Sequence, residues 1–126
     1  MAENREAENI RERFKKLCQQ AQNNFPQKGQ TLDVPPTQGV YVIRKGATVL
    51  HVGRTVRGKD GLHQRLTNHL RGSSSFTREQ FEGKGEVLRD RKYTFQYLEV
   101  ESARERALLE AFAIGSLCPE HLGLSE

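Results

Sequence analysis

Gly39-Val-Tyr-Val-Ile-Arg44 and Thr48-Val-Leu-His-Val-Gly53 are the two apolar runs that decide the fold of this chain. Both runs are rich in β-branched residues, and the short link Lys45-Gly46-Ala47 between them is typical of a β-hairpin. A third run, Lys92–Val100, alternates in polarity and contains three aromatic residues, which predicts a further strand. These runs predict a small, mainly antiparallel three-stranded sheet.

Helical patterns surround the three runs. Apolar residues recur at helical spacing from Ile10 to Ala21, which predicts an extra N-terminal amphipathic helix to about Asn24. Leu62, Leu66 and Leu70 predict a short helix over residues 62–71. The fold class is therefore α+β, with helices flanking the sheet.

Two capping-box spacings mark further helix starts. Thr77-Arg-Glu-Gln80 predicts another short helix, and Ser102-Ala-Arg-Glu105 opens one that runs to about Leu117, before Pro119. A proline- and glycine-containing connector ends near Pro36, so we divide the chain into a segment over residues 1–36 and a domain over 37–126.

Length and composition limit the class of protein. The chain has 126 residues, enough for one domain with a core that needs no disulfide or structural metal. No apolar run reaches the roughly 18–20 residues that a membrane span requires, and the charged N-terminus does not resemble a secretory signal. Two distant cysteines, Cys18 and Cys118, favour a reducing, cytoplasmic setting without a membrane partner.

Basic charge is concentrated in one segment. Residues 44–71 contain seven basic side chains and one acid, Asp60, so they carry +6 while the whole chain carries +4. Such a field attracts polyanions, although a solvated basic face without a ligand is an equally good interpretation of charge alone. Within this segment the candidate nucleic-acid contacts are Arg54, Arg57, Lys59 and Arg71.

Glu110 is the most unusual position for chemistry. It is the only ionisable side chain in Ala107–Leu117, where its helical neighbours are all apolar. A carboxylate on an apolar face loses hydration and needs a cation, which is either a metal ion or an arginine. The second case would be a structural Glu–Arg pair with no catalytic task.

A second candidate set lies on the short helix. Arg65 and His69 are spaced i, i+4 and therefore lie on one side of it. Arginine offers a bidentate fork to phosphate, and histidine transfers protons near neutral pH. An ordinary surface pair has the same spacing.

Taken in order, these segments resemble the GIY-YIG nuclease superfamily. Gly39-Val-Tyr41, separated by nine residues from His51-Val-Gly53-Arg54, is similar to its signature. Gly61–His69 resembles the family's arginine-bearing helix, and Arg104–Glu110 followed by Pro119 resembles its metal-binding glutamate segment. The resemblance covers about residues 39–122.

The resemblance implies a DNA endonuclease that uses one divalent ion, Mg²⁺ or Mn²⁺. Glu110 would hold the metal, Arg65 would neutralise charge on the phosphate, and Tyr41 would activate the attacking water. His69 would accept a proton or bind phosphate. His51 replaces the usual tyrosine of the second motif, so the general base stays open among Tyr41, His51 and His69.

Another departure follows Pro119, where Glu-His121-Leu122 contains no asparagine such as the family often has. Cys118 and His121 supply only half of a zinc ligand set, so a structural zinc site is not expected.

Two other functions compete with an active nuclease. One is a nucleic-acid-binding module on the same scaffold that has lost cleavage through His51. The other is a protein-interaction domain that binds through its N-terminal helix, which could also form a homodimer. A metal-ligating Glu110 distinguishes the nuclease from both.

Overall fold

The computed structural model describes residues 4–122. Its elements follow one another along the chain in this order: α1 (Arg5–Gln19), β1 (Asn23–Asn24), β2 (Gly39–Lys45), β3 (Thr48–Arg54), α2 (Gly61–Arg71), α3 (Ser75–Phe81), a 3₁₀ helix (Gly85–Arg89), β4 (Tyr93–Glu99) and α4 (Ala103–Leu117).

The sheet has the strand order β1-β4-β2-β3, and all its pairings are antiparallel. The predicted hairpin is β2–β3, and β4 pairs with the other side of β2. The α+β class is therefore confirmed, with four strands where the sequence predicts three.

The additional strand, β1, lies where the sequence predicts the end of the first helix. That helix stops at Gln19 because Gln20 takes an extended conformation, with ψ at 150°. The Asn24 amide then donates hydrogen bonds to the carbonyl oxygens of Arg91 and Tyr93, at 2.8 and 3.2 Å. Side-chain amides thus fix a two-residue strand that apolar periodicity does not reveal.

Each face of the sheet has its own core. On one face, α2 and α3 cover Tyr41 and Ile43 with Leu62, Leu66 and Phe76. On the other face, α1 and α4 cover a second cluster that includes Ile10, Leu17, Val42, Val52 and Leu109. Phe14 of α1 meets Phe112 of α4 edge-on, so the apolar side of the N-terminal helix packs within this chain.

The helix starts follow side-chain caps. The backbone N–H of Glu105 donates to Ser102 Oγ at 3.2 Å, as the second capping box predicts. The prediction at Thr77 is wrong in register, because Ser74 caps α3 and accepts a hydrogen bond from the Thr77 N–H at 3.2 Å. Within residues 4–122, no helix combines the length and the apolar character needed to cross a bilayer.

Candidate active site

Tyr41 lies at the centre of the site, on the middle strand β2, and its side chain is fully buried. It faces Gly53 of β3 across the hairpin. A Cβ atom at Gly53 would stand 2.4 Å from the Tyr41 hydroxyl oxygen, closer than any side chain allows. The Tyr41 ring thus occupies the space that a side chain at Gly53, the glycine of the second sequence motif, would need.

The Tyr41 hydroxyl contacts His69 of α2, with 2.7 Å between the oxygen and Nε2. His69 is itself buried, and its Nδ1 lies 2.6 Å from Ser74 Oγ. The predicted i, i+4 pair therefore does not lie on the surface, because this helix presents His69 to the core below the tyrosine.

Ser74 and Thr77 fix the direction of this hydrogen-bond chain. Thr77 Oγ1 donates to the Ser74 carbonyl oxygen at 3.1 Å, so the Ser74 hydroxyl donates to Thr77 Oγ1 at 2.9 Å. Ser74 Oγ then accepts from His69 Nδ1–H. Consequently, His69 Nε2 carries no proton and accepts the hydrogen bond from the Tyr41 hydroxyl.

Burial controls the protonation of both groups. It raises the pKa of Tyr41 to about 12, an effect that the nearby Arg65 charge opposes and the Glu110 charge reinforces. It also lowers the pKa of His69 well below the usual range, with further lowering from His51, Arg65 and His121. The resting pair is therefore a neutral phenol that donates to a neutral imidazole.

Arg65 lies beside this pair on α2 and is partly buried. Its positive charge opposes the rise in the pKa of Tyr41 and adds to the lowering of the pKa values of His51 and His69. Arg65 therefore belongs to the same site as these three side chains. Its Nε is buried and has no hydrogen-bond partner among the described residues. A buried donor left unpaired costs about 1–3 kcal/mol, which an acceptor such as a phosphate oxygen would recover.

His51 of β3 belongs to the same cluster of rings. It stacks on Phe76 with ring centroids 4.7 Å apart, and its centroid lies 5.2 Å from that of His69. Burial, followed by the influence of His121 and Arg65, lowers the pKa of His51 to about 3. Its Nε2 is buried, and no residue from 4 to 122 forms a hydrogen bond with it.

Glu110 finds its cation in an arginine of the chain. Arg54 Nε donates to Glu110 Oε1 at 3.0 Å, and the two side chains are 34% and 24% exposed. This is the arginine alternative that the sequence leaves open, and it ties Arg54 to Glu110 in this structure. The Glu110 charge also adds, after burial, to the raised pKa of Tyr41.

The residues present fit an open magnesium or manganese site but not a closed one. Among residues 4–122, no group of three or more His, Cys, Asp or Glu side chains is arranged to hold an ion. Mg²⁺ characteristically keeps several waters and binds one or two carboxylates together with substrate phosphate oxygens. Glu110 can supply one such carboxylate, since its Oε2 has no hydrogen bond to any described residue.

The predicted nucleic-acid contacts separate into two places. Arg57 and Lys59 follow β3 and line a cavity of about 260 Å³ together with Arg65. Arg71 instead lies at the far end of α2, about 15 Å along the helix axis from its start, beside Lys84. Only Arg57 and Lys59 therefore border the same cavity as Arg65.

Arg106 holds the loop that carries these basic residues. It is buried and donates to four backbone carbonyl oxygens, at distances of 2.6 to 3.0 Å: Thr55, Val56, Val100 and Glu101. Thr55 and Val56 also line the cavity of Arg57, Lys59 and Arg65, which we call the basic cavity, whereas Val100 and Glu101 precede α4. The Arg106 guanidinium thus links the loop after β3 to the helix that bears Glu110.

Sequence reasoning missed Ser74 and Glu79, and it judged His121 only as a poor zinc ligand. Ser74 precedes Thr77 by three residues, which is the spacing of a helix cap and the one signal that could have identified it. The positions of Glu79 and His121 beside the site follow from tertiary packing alone.

Two solved structures of an endonuclease domain have a similar fold. The GIY-YIG N-terminal endonuclease domain of UvrC from Thermotoga maritima, bound to its catalytic divalent cation magnesium, matches with a TM-score of 0.52 and 19% sequence identity. The match covers 90% of this chain and 94% of that one. A tyrosine-to-phenylalanine point mutant of that domain, bound to its catalytic divalent cation, has the same score and identity, over 90% and 93% of the two chains.

The GIY-YIG-like fold that the sequence motifs suggest is therefore confirmed at the level of structure. No protein-family model and no curated protein matches the sequence.

Proposed function

We propose that this chain is an endonuclease that hydrolyses phosphodiester bonds in DNA with the help of Mg²⁺ or Mn²⁺. The observation that carries the proposal is the 2.7 Å contact between the Tyr41 hydroxyl and His69 Nε2, next to an Arg65 Nε that has no partner among residues 4–122. The likeness in fold to a magnesium-bound endonuclease domain supports it.

The Tyr41–His69 pair can take a proton from an attacking water. As the water oxygen attacks phosphorus, its proton passes to the Tyr41 oxygen while the tyrosine proton passes to His69 Nε2. The imidazolium that forms keeps Nδ1–H on Ser74 Oγ. Because burial disfavours a charged His69, this transfer requires the negative phosphate in the site.

Arg65 and Glu110 have separate tasks in this mechanism. Arg65 donates to the phosphoryl oxygens, where negative charge accumulates in the transition state. Glu110 would hold the divalent ion, which when bound supplies Lewis-acid polarisation of the phosphate and stabilises the leaving oxygen. Arg54, which pairs with this carboxylate in the structure, would then be available to the negative DNA backbone.

The basic cavity gives the substrate its class. Arg57 and Lys59 are exposed and line one cavity with Arg65. A nucleic-acid backbone that binds to them can therefore extend to Arg65. Contacts of this type depend on phosphates rather than on base identity. We therefore expect a cutter with weak sequence selectivity.

The second candidate function is a nucleic-acid-binding module on this scaffold that no longer cuts. His51 in the second motif and the Arg54–Glu110 ion pair favour it, since the ion pair neutralises the carboxylate without a metal. The two functions differ in what happens when a divalent ion is added.

Incubation with supercoiled plasmid tests the proposal. The wild-type protein should nick the plasmid in Mg²⁺ or Mn²⁺ and stop when EDTA is added, whereas Glu110→Ala and Tyr41→Phe should be inactive although they remain folded by circular dichroism. Plasmid retardation without nicking would favour the binding module. Equal nicking by all three proteins would disprove the catalytic assignment.

A further inference from the structure

His51 is connected to the protein surface by two side chains outside the proposed machinery. Its Nδ1 lies 3.1 Å from His121 Nδ1, and His121 Nε2 lies 2.5 Å from Glu79 Oε2. The His121 side chain is only 3% exposed, whereas the Glu79 side chain is 57% exposed. A chain of three hydrogen-bonding groups therefore runs from the ring cluster to solvent.

Glu79 determines where the protons of this chain lie. An ionised carboxylate only accepts hydrogen bonds, so His121 Nε2 carries the proton that it donates to Glu79. When His121 carries only this one proton, its Nδ1 is bare and accepts from His51 Nδ1–H. The position of the proton on His121 therefore determines which nitrogen of His51 carries its proton.

The other nitrogen of His51 is fixed by the same logic. With the proton on Nδ1, His51 Nε2 has a free lone pair, and that buried atom has no partner within the described part of the chain. Burial lowers the pKa of His51 to about 3, so the ring stays neutral and the lone pair stays available at neutral pH.

We propose that Glu79 and His121 are positioning residues that hold His51 in its Nδ1–H tautomer, so that Nε2 accepts a hydrogen bond from the reacting water. Two buried atoms that lack a partner among the described residues support this role. Arg65 Nε is a donor suited to a phosphoryl oxygen, and His51 Nε2 is an acceptor suited to a water hydrogen. The role of the water rests on the proposed function, whereas the tautomer does not.

The tautomer is measured directly by ¹⁵N NMR. The chain has four histidines, so long-range ¹H–¹⁵N correlations of the full-length protein can be assigned through single substitutions. In the metal-free and DNA-free protein, His51 Nδ1 should give a protonated, pyrrole-type signal and Nε2 a bare, pyridine-type signal. The opposite pattern in the wild-type protein would overturn the proposal.

Two variants test the dependence on the relay. Glu79→Ala removes an exposed carboxylate, and His121→Phe keeps a ring but removes the acceptor; both should move the His51 nitrogen signals towards a mixture of tautomers. Glu86→Ala is the matched control, because it also removes an exposed carboxylate, one that makes no hydrogen bond or ion pair with any described residue. His51 signals that stay unchanged in both relay variants would overturn the proposal.

Plasmid nicking adds a catalytic measurement. We expect Glu79→Ala to lower kcat about tenfold without raising KM, as for other groups that orient a reacting side chain, while Glu86→Ala keeps the wild-type kcat. An unchanged kcat in Glu79→Ala would count against the role of the tautomer. If the wild-type protein cuts nothing while the NMR signals depend on Glu79, the proposed function fails and the positioning by Glu79 stands.

Discussion

The Tyr41 ring crosses directly over Gly53, its partner on the neighbouring strand, with the hydroxyl oxygen 2.4 Å from the position that a Cβ atom would take. The ring is fully buried, so it has no room to withdraw. A requirement for glycine here therefore comes from a side chain and not from the backbone, since Gly53 is not among the residues with positive φ.

We expect Gly53→Ala to lower the free energy of unfolding by about 1–3 kcal/mol and to abolish activity, because the added methyl displaces the tyrosine. Urea unfolding measures the first effect. Gly115→Ala is the control: nothing lies within 4 Å of its added Cβ in α4, so it should stabilise the protein by about 0.5–1 kcal/mol. Equal effects of the two substitutions would contradict the overlap.

Ser74→Ala should cost more than an ordinary helix cap. Loss of the cap accounts for about 0.5–2 kcal/mol, and the buried His69 Nδ1–H loses its acceptor as well. Ser102→Ala, which removes an exposed cap from α4, gives the cap effect alone. We further expect Ser74→Ala to lower kcat with little change in KM; a stability loss no larger than that of Ser102→Ala would contradict the role of Ser74.

Stability should fall as the solution is acidified below about pH 6.5. The pKa values of His51 and His69 are lowered by folding, so the unfolded chain binds more protons between about pH 3 and the usual histidine pKa of about 6.5. The free energy of unfolding therefore rises with pH in this range, by up to about 1.4 kcal/mol per pH unit for each histidine, and the contribution is complete above it.

Urea unfolding at several pH values measures this slope. His51→Phe keeps the ring stack on Phe76 and should reduce the slope. His63→Gln changes a histidine on α2 that is only partly buried and should keep the wild-type slope. A flat profile between pH 4 and pH 6.5 would show that the two buried rings do not control acid stability.

Reversal of charge in the basic cavity should weaken DNA binding in a salt-dependent way. Each lost phosphate contact reduces the slope of log K against log salt concentration by about 1. Arg57→Glu combined with Lys59→Glu should therefore reduce that slope by about 2, measured by fluorescence anisotropy with a labelled duplex. Lys28→Glu, an exposed change outside this cavity, should leave the slope unaltered.

Arg54 and a divalent ion should compete for Glu110. Arg54→Met frees Oε1, so we expect tighter Mn²⁺ binding by calorimetry in the absence of DNA, while Glu110→Gln should abolish binding. Arg104→Met breaks an exposed ion pair with Glu6 and serves as the control. Weaker binding in Arg54→Met would mean that the arginine supports the metal site instead of competing for it.

Strands and helices could be predicted from sequence wherever a local signal marks them, such as regularly spaced apolar residues or a helix cap. The β2–β3 hairpin and α2 follow their apolar patterns and α4 follows its capping box, while the isolated charge of Glu110 predicts a cation beside it, which in this structure is Arg54. The pattern cannot identify the partner of that carboxylate, because Arg54 reaches it from a strand 56 residues away. Nor can it reveal β1 or the contacts of His121, which depend on amide and imidazole hydrogen bonds between distant segments.

The guanidinium of Arg106 holds the first two residues of the loop after β3 in place but does not bind the residues that follow them. Thr55 and Val56 are tied by their carbonyl oxygens to the start of α4, so their spacing to that helix is fixed. Arg57–Asp60 lie beyond this tether and are exposed. Within the loop from β3 to α2, insertions or deletions should therefore be tolerated better in residues 57–60 than at Thr55 and Val56, which makes that short stretch the place where the reach of the basic surface can be lengthened or shortened without moving Glu110.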